Sequence, residues 1–150
     1  MNHMMSACGV ICSECPAYLA AAKGVAHQQR TVDAWRRIYG LSEIAENISC
    51  GGCLGPDEVL FHTSGRCLAR RCCRSKGFSN CAECPKESCQ DLEKAQSLWD
   101  EVPQIGSIIS PADFEAYARA YCGHRSRLAA ARTSRRNPRP SVPKKNGEPL

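Results

Sequence analysis

Twelve cysteines in 150 residues carry most of the chemistry that this chain offers. Three pairs have Cys-x-x-Cys spacing: Cys12/Cys15, Cys50/Cys53 and Cys81/Cys84. Two intervening residues let one tight turn present both sulfurs to a single metal ion, about 2.3 Å from each. Other cysteines stand beside these pairs. Ten fall into ligand-like groups: Cys8, Cys12 and Cys15; Cys50 and Cys53; Cys67 and Cys72; Cys81, Cys84 and Cys89. These are enough for two zinc sites of four sulfurs each. The spacing leaves their partition open, although each group of three is expected to borrow from a neighbouring pair. Cys73 and the isolated Cys122 read as small buried hydrophobes. His62, between Cys53 and Cys67, is the histidine best placed to replace a thiolate. His124 has thinner support, and His3 beside Met4 and Met5 reads as a frayed terminus.

The residues around the cysteines suit thiolates. Cys12-Ser13-Glu14-Cys15-Pro16 and Cys81-Ala82-Glu83-Cys84-Pro85 repeat one Cys-x-Glu-Cys-Pro device. Proline suits the first position of a helix. Cys15 and Cys84 then sit near helix N-caps, where free N–H groups and the positive helix end favour a thiolate. With a helix starting at Pro85, Cys89 lies about one turn on and tilts back toward Cys81 and Cys84. The glycines of Cys50-Gly51-Gly52-Cys53 permit positive φ, so that N–H groups can face the sulfurs. Arg66, Arg70, Arg71 and Arg74 flank Cys67 and Cys72. They either offset the charge of a tetrathiolate site or form an ordinary solvated helix face.

The elements that must hold these groups read as helices and loops. Residues 1–7 look loose. Pro16–Gly24 reads as a short Ala-rich helix, and Thr31 caps a second one over Val32–Tyr39, stopped by Gly40. Ser42 starts a turn through Ile44. Residues 49–66 read as loop, with a short strand at Val59–His62. Cys67–Lys76 forms a helix ended by Gly77, and Pro85–Asp100 a longer one. Ser110-Pro111-Ala112-Asp113 opens a last helix toward Arg132, which Gly123 can break. The expected fold class is mainly α: a small irregular helical domain over residues 1–132, organised by Cys-ligated metal sites, with few or no regular strands. Residues 133–150, basic and proline-rich, read as a disordered tail.

Composition supports a domain that needs such sites. Leu, Ile, Val and Phe supply only 25 of 150 residues, whereas alanine and cysteine supply 30. That apolar share falls below the roughly 20% with which chains ordinarily build a core. The N-terminus has no basic region followed by an apolar run, so it does not read as a secretory signal. No stretch approaches the ~20 apolar residues of a membrane span. A cytoplasmic protein, with thiols kept reduced, is expected, and there cysteine pairs bind metal more often than they form disulfides. Residues 1–131 are charge-neutral. The excess of +5 lies in 132–150, with six Lys/Arg against Glu148.

The string Cys8-Gly9-x-x-Cys12-x-x-Cys15, Cys50-x-Gly-Cys53, Cys67-x4-Cys72-x3-Lys76-Gly77 and Cys81-x2-Cys84-x4-Cys89 resembles a prokaryotic family labelled domain of unknown function 3795. The resemblance covers about residues 6–95. It implies a small cysteine-rich domain that binds zinc, with no established activity. The family pattern has a further cysteine where this chain has Ser64, so His62 or Cys73 is the substitute if that cysteine is a ligand.

Three functional classes follow. The first is a zinc-stabilised binding or regulatory module with an unknown protein partner. Filled four-sulfur sites leave no open position for catalysis. The second is an iron–sulfur protein with a cluster on Cys8, Cys12 and Cys15. The third is a metal-dependent or thiol enzyme, for which few general bases stand near a nucleophile; His27 reads as solvated. The basic tail suits weak contact with nucleic acid or another polyanion, yet it has no aromatic residues to stack on bases.

Overall fold

Pro16, first in its helix after Cys15, opens α1 (Pro16–Tyr39) in the computed structural model, which describes residues 3–138. The helix ends where Gly40 turns left-handed at φ 66°. The two expected helices are present as the two arms of α1, divided by a sharp break at Gly24 (φ 74°, ψ −171°). Helical structure resumes directly after the break. Thr31 is therefore not a cap: it is buried, and its hydroxyl donates to the His27 carbonyl at 2.8 Å. His27 is buried rather than solvated, and its Nε2 lies 2.9 Å from the Pro16 carbonyl, tying the two arms of α1 together.

The remaining elements are α2 (Leu68–Lys76), α3 (Gln90–Ser97), α4 (Val102–Ile105), α5 (Pro111–Tyr117) and α6 (His124–Arg136). Three 3₁₀ turns lie between α1 and α2, one between α2 and α3, and one between α5 and α6. The expected helix from Pro85 begins only at Gln90. Asp91 and Glu93 then stand in its first turn, where the helix dipole favours acids. The expected turn at Ser42–Ile44 forms slightly later, over Ala45–Asn47. No strand exists among the described residues, only an isolated bridge between Met5 and Ile11. At the expected strand, Asp57–Val59 forms a 3₁₀ turn instead. Ser110 caps α5 by accepting from the Asp113 N–H at 3.1 Å. That helix stops at Tyr117, a 3₁₀ turn follows at Arg119–Tyr121, and Gly123 (φ 68°) opens α6.

α6 continues to Arg136, past the expected boundary at residue 132, and Arg135 pairs with Glu83 at 2.8 Å. Residues 139–150 of the expected tail lie outside the described part.

The core is as lean as the composition implies. Its main cluster is built largely from Ala7, Cys8, Val10, Ala69, Cys73, Cys81, Ala82, Ala95 and Leu128. A smaller one packs Ala17, Ala20, Val32, Trp35 and Ile48. Among the largest fully buried side chains is an arginine, Arg70. The N-terminal residues are not loose throughout. Ser6 and Ala7 are buried, and the Ala7 carbonyl accepts from the Cys81 N–H at 3.0 Å. Arg125 joins α6 to the α3 end by pairing with Glu93 and Asp100, each at 2.7 Å.

Candidate metal centre

Both copies of Cys-x-Glu-Cys-Pro fold alike. Each forms a 3₁₀ turn, Cys12–Glu14 and Cys81–Glu83. The second cysteine returns its N–H to the carbonyl of the first, at 3.0 Å for Cys15 and 3.2 Å for Cys84. The second cysteines share an extended backbone, φ −68° and ψ 130° at Cys15 and φ −75° and ψ 132° at Cys84. Beyond the proline the copies part. Cys15 is the N-cap of α1, whereas Cys84 leads into irregular chain.

The first thiol group is assembled from two segments. The turn before α1 brings Cys12 and Cys15, and the glycine loop brings Cys50 and Cys53. Gly52 has φ 93°, and a Cβ there would come within 2.8 Å of Met4 Sδ. Cys12 is close enough to Cys15, Cys50 and Cys53 for their charges to act on it, and Cys53 in turn neighbours Cys8 and Cys67. Backbone N–H groups face these sulfurs. Ala7 donates to Cys53 Sγ at 3.5 Å, Cys53 itself faces Cys12, and Val10 faces Cys8. The amides of Ala17 and Tyr18, at the start of α1, act on Cys15 without making formal cap bonds.

Two hydroxyls join this group. Ser6 Oγ lies 3.3 Å from Cys8 Sγ, and Tyr121 Oη 3.2 Å from Cys15 Sγ. Tyr121 is stacked on Trp99 at 4.6 Å. Its link to Cys15 spans 106 positions, so no local spacing in the sequence signals it.

Burial pushes the thiols of Cys8, Cys12 and Cys15 up, and that of Cys53 to about 11, while the facing N–H groups pull the other way. A group of buried neutral thiols ringed by donors is one that a cation would ionise.

A second group forms between α2 and the second turn. Cys73 and Cys81 are both buried, with sulfurs 3.5 Å apart. Cys73 is buried as expected, but it is not an inert hydrophobe. Its hydrogen bond with Cys81 lowers its own pKa, and Cys72 and Cys84 lie within charge range. Cys89, expected one turn inside a helix, is instead the N-cap of α3. It lines an open groove of about 520 Å³ with Leu92, Arg125, Leu128 and Arg132. Cys122 is half-buried, its sulfur 3.6 Å from the Ala118 carbonyl.

The histidines have other partners. His62 Nε2 lies 2.7 Å from Glu43 Oε1. The two ring nitrogens of His124 meet the carbonyls of Tyr121 and Gln96 at 3.1 and 2.9 Å. His3 meets Glu14 at 3.1 Å.

Of the four flanking arginines, Arg70 departs most from a solvated helix face. Its side chain is 1% exposed. Its Nε donates to the Cys53 carbonyl and its Nη2 to the Gly55 carbonyl at 2.7 Å, with Asp57 Oδ1 also at 2.7 Å. It thereby pins the loop that carries Cys53, and its guanidinium holds the Asp57 carboxyl below its ordinary value. Arg70→Met keeps the apolar stem and leaves two carbonyls without donors. Hydrogen bonds to charged groups are worth about 1.5–3 kcal/mol each, so we expect a loss of about 3 kcal/mol in denaturant unfolding. A loss under about 0.5 kcal/mol, the range of ordinary surface substitutions, would show that Arg70 does not anchor the loop.

Among the described residues, no three His, Cys, Asp or Glu side chains already converge on a point fit for a metal ion. The thiols share neighbourhoods rather than one centre. Drawing several onto one ion requires turning each about its single χ1 bond, between staggered positions.

Fold and thiol groups together define a cysteine-rich, mainly helical domain. The family described as "Protein of unknown function (DUF3795)" matches residues 4–94, and the chain belongs to it. The match spans every cysteine of the two thiol groups and leaves α4, α5 and α6 outside. No curated protein and no solved structure matches the chain. No helix among the described residues is long and apolar enough to cross a membrane.

Proposed function

We propose that this protein is a zinc-binding module in which thiolates from Cys12, Cys15, Cys50 and Cys53 hold a structural ion. Cys8 and Cys67 complete the thiol shell around Cys53. The observation that carries this reading is the set of backbone N–H groups, from Ala7, Val10 and Cys53, turned toward the sulfurs of Cys53, Cys8 and Cys12. Neutral thiols are weak acceptors and gain little from such donors, whereas thiolates on a metal gain more. Four protein sulfurs close the coordination sphere, which fits a structural role. The module then acts through its surface, as a binding or regulatory domain.

The test is elemental analysis of the full chain purified reduced. Zinc is expected, and Cys12→Ser should lose at least one ion per chain. Iron with visible colour would instead assign a cluster to the same cysteines. A cooperatively folded protein without any metal would overturn the reading.

A further inference from the structure

The second thiol group has the geometry of a site of its own. Two sulfurs bound tetrahedrally to one ion, each about 2.3 Å from it, lie about 3.8 Å apart. Cys73 Sγ and Cys81 Sγ stand 3.5 Å apart, close to that edge and far beyond a disulfide bond of about 2.05 Å. Both residues are buried among Ala69, Ala82 and Ala95, where an S–H···S contact contributes little by itself.

The elements deliver these sulfurs independently of the first group. Cys73 comes from the last turn of α2, directly before its Gly77 stop. Cys81 and Cys84 come from the 3₁₀ turn that has the same geometry as the turn holding Cys12 and Cys15. That turn is held from several sides. Asn80 accepts from the Ala82 N–H at 2.9 Å, the Ala7 carbonyl accepts from Cys81, and Arg132 Nη2 donates to the Cys81 carbonyl at 3.0 Å. Arg132 and Lys76 both lie within charge range of Cys81, so cations already stand beside the sulfurs. Cys72 and Cys84 lie within charge range of Cys73, as does Cys53 of the first group, and turning about χ1 would be needed to bring Cys72 and Cys84 onto the same ion.

We infer that Cys73, Cys81 and Cys84, with Cys72 as the fourth donor, form a second site for a soft divalent ion such as zinc, separate from the site at Cys12, Cys15, Cys50 and Cys53. This deepens the proposed zinc-binding reading and rests on it. It gives Cys73, which the spacing alone marks as filler, the place of a ligand. It also removes His62, held by Glu43, as the fourth donor.

The test loads the reduced full chain with zinc and counts ions per chain by native mass spectrometry. Two are expected for the unaltered protein. Cys73→Ser should lose one and keep the other, and Cys12→Ser should lose the complementary one. Cobalt substitution gives an independent readout, since thiolate-to-cobalt absorbance should fall by about half in Cys73→Ser. Two ions retained in Cys73→Ser would overturn the second site while leaving the zinc-binding reading standing. No ions in the unaltered protein would overturn both. Should Cys73→Ser fail to fold, the ion count of the unaltered chain decides, and a single ion refutes the second site. A Cys73–Cys81 disulfide in protein purified under reductant, read as a mass lower by two hydrogens, would refute it as well.

Discussion

Gly9→Ala is expected to leave the protein unable to fold stably. Gly9 has φ 103°, a backbone region that side chains with a Cβ rarely enter. An added methyl would sit 2.1 Å from the His124 carbonyl oxygen and 3.2 Å from Leu128 Cβ. His124 cannot easily yield, because its ring is held by the carbonyls of Gln96 and Tyr121 and it is buried at the start of α6. The neighbouring Cys8 carbonyl is tied to Gln96 Nε2 at 3.0 Å, and the Gly9 carbonyl to Arg127. Backbone strain and overpacking each cost about 1–3 kcal/mol, and here both act at once. Together they come to about 2–6 kcal/mol, enough to reach the lower end of a small domain's stability of about 5–15 kcal/mol. Gly40→Ala is the control: it has positive φ but open space, so it should cost only about 1 kcal/mol. Thermal unfolding of both variants checks this, and a Gly9→Ala protein that melts within a few degrees of the parent would refute the contact.

On the proposed zinc-binding reading, removing metal is expected to have a larger effect still. With a chelator under reducing conditions, the zinc-loaded chain should lose its cooperative thermal transition and much of its helical circular dichroism. Structural zinc contributes about 10–16 kcal/mol in small domains, as much as the whole net stability of a small domain. The sign with pH follows from the thiols. Burial raises their proton affinity, with Cys53 at about 11, so each ligand must shed a proton to bind. The metal's contribution is therefore full at neutral to alkaline pH and falls as acid returns protons to the sulfurs. Melting temperatures of loaded and chelated protein across pH check this directly. Identical, cooperative melts in the two states would sink it.

Much of the helical framework was legible because its signals are local. Ser110-Pro111-Ala112-Asp113 starts α5, and Gly40 and Gly77 end α1 and α2, each through backbone chemistry confined to a few residues. The repeated Cys-x-Glu-Cys-Pro turn is equally local, and both copies adopt one shape. Pro85 offers the same signal as Pro16, yet only Pro16 opens a helix, because proline suits a turn as well as a first helical position. Thr31 looked like a cap, but within α1 its hydroxyl satisfies itself on the His27 carbonyl one turn back.

By itself, then, the amino-acid order determined a mainly helical, cysteine-rich member of its family, the local shape of its cysteine turns and the poverty of its apolar core. Tertiary structure alone decided which groups become neighbours: Cys73 beside Cys81, Cys53 within charge range of Cys12 and Cys8, and the Tyr121 hydroxyl beside Cys15. It also decided that Arg70 is buried to hold the Cys53 loop. Turn and cap preferences act over a few residues. Contacts between segments tens of residues apart depend on how helices pack, and no spacing along the chain encodes that.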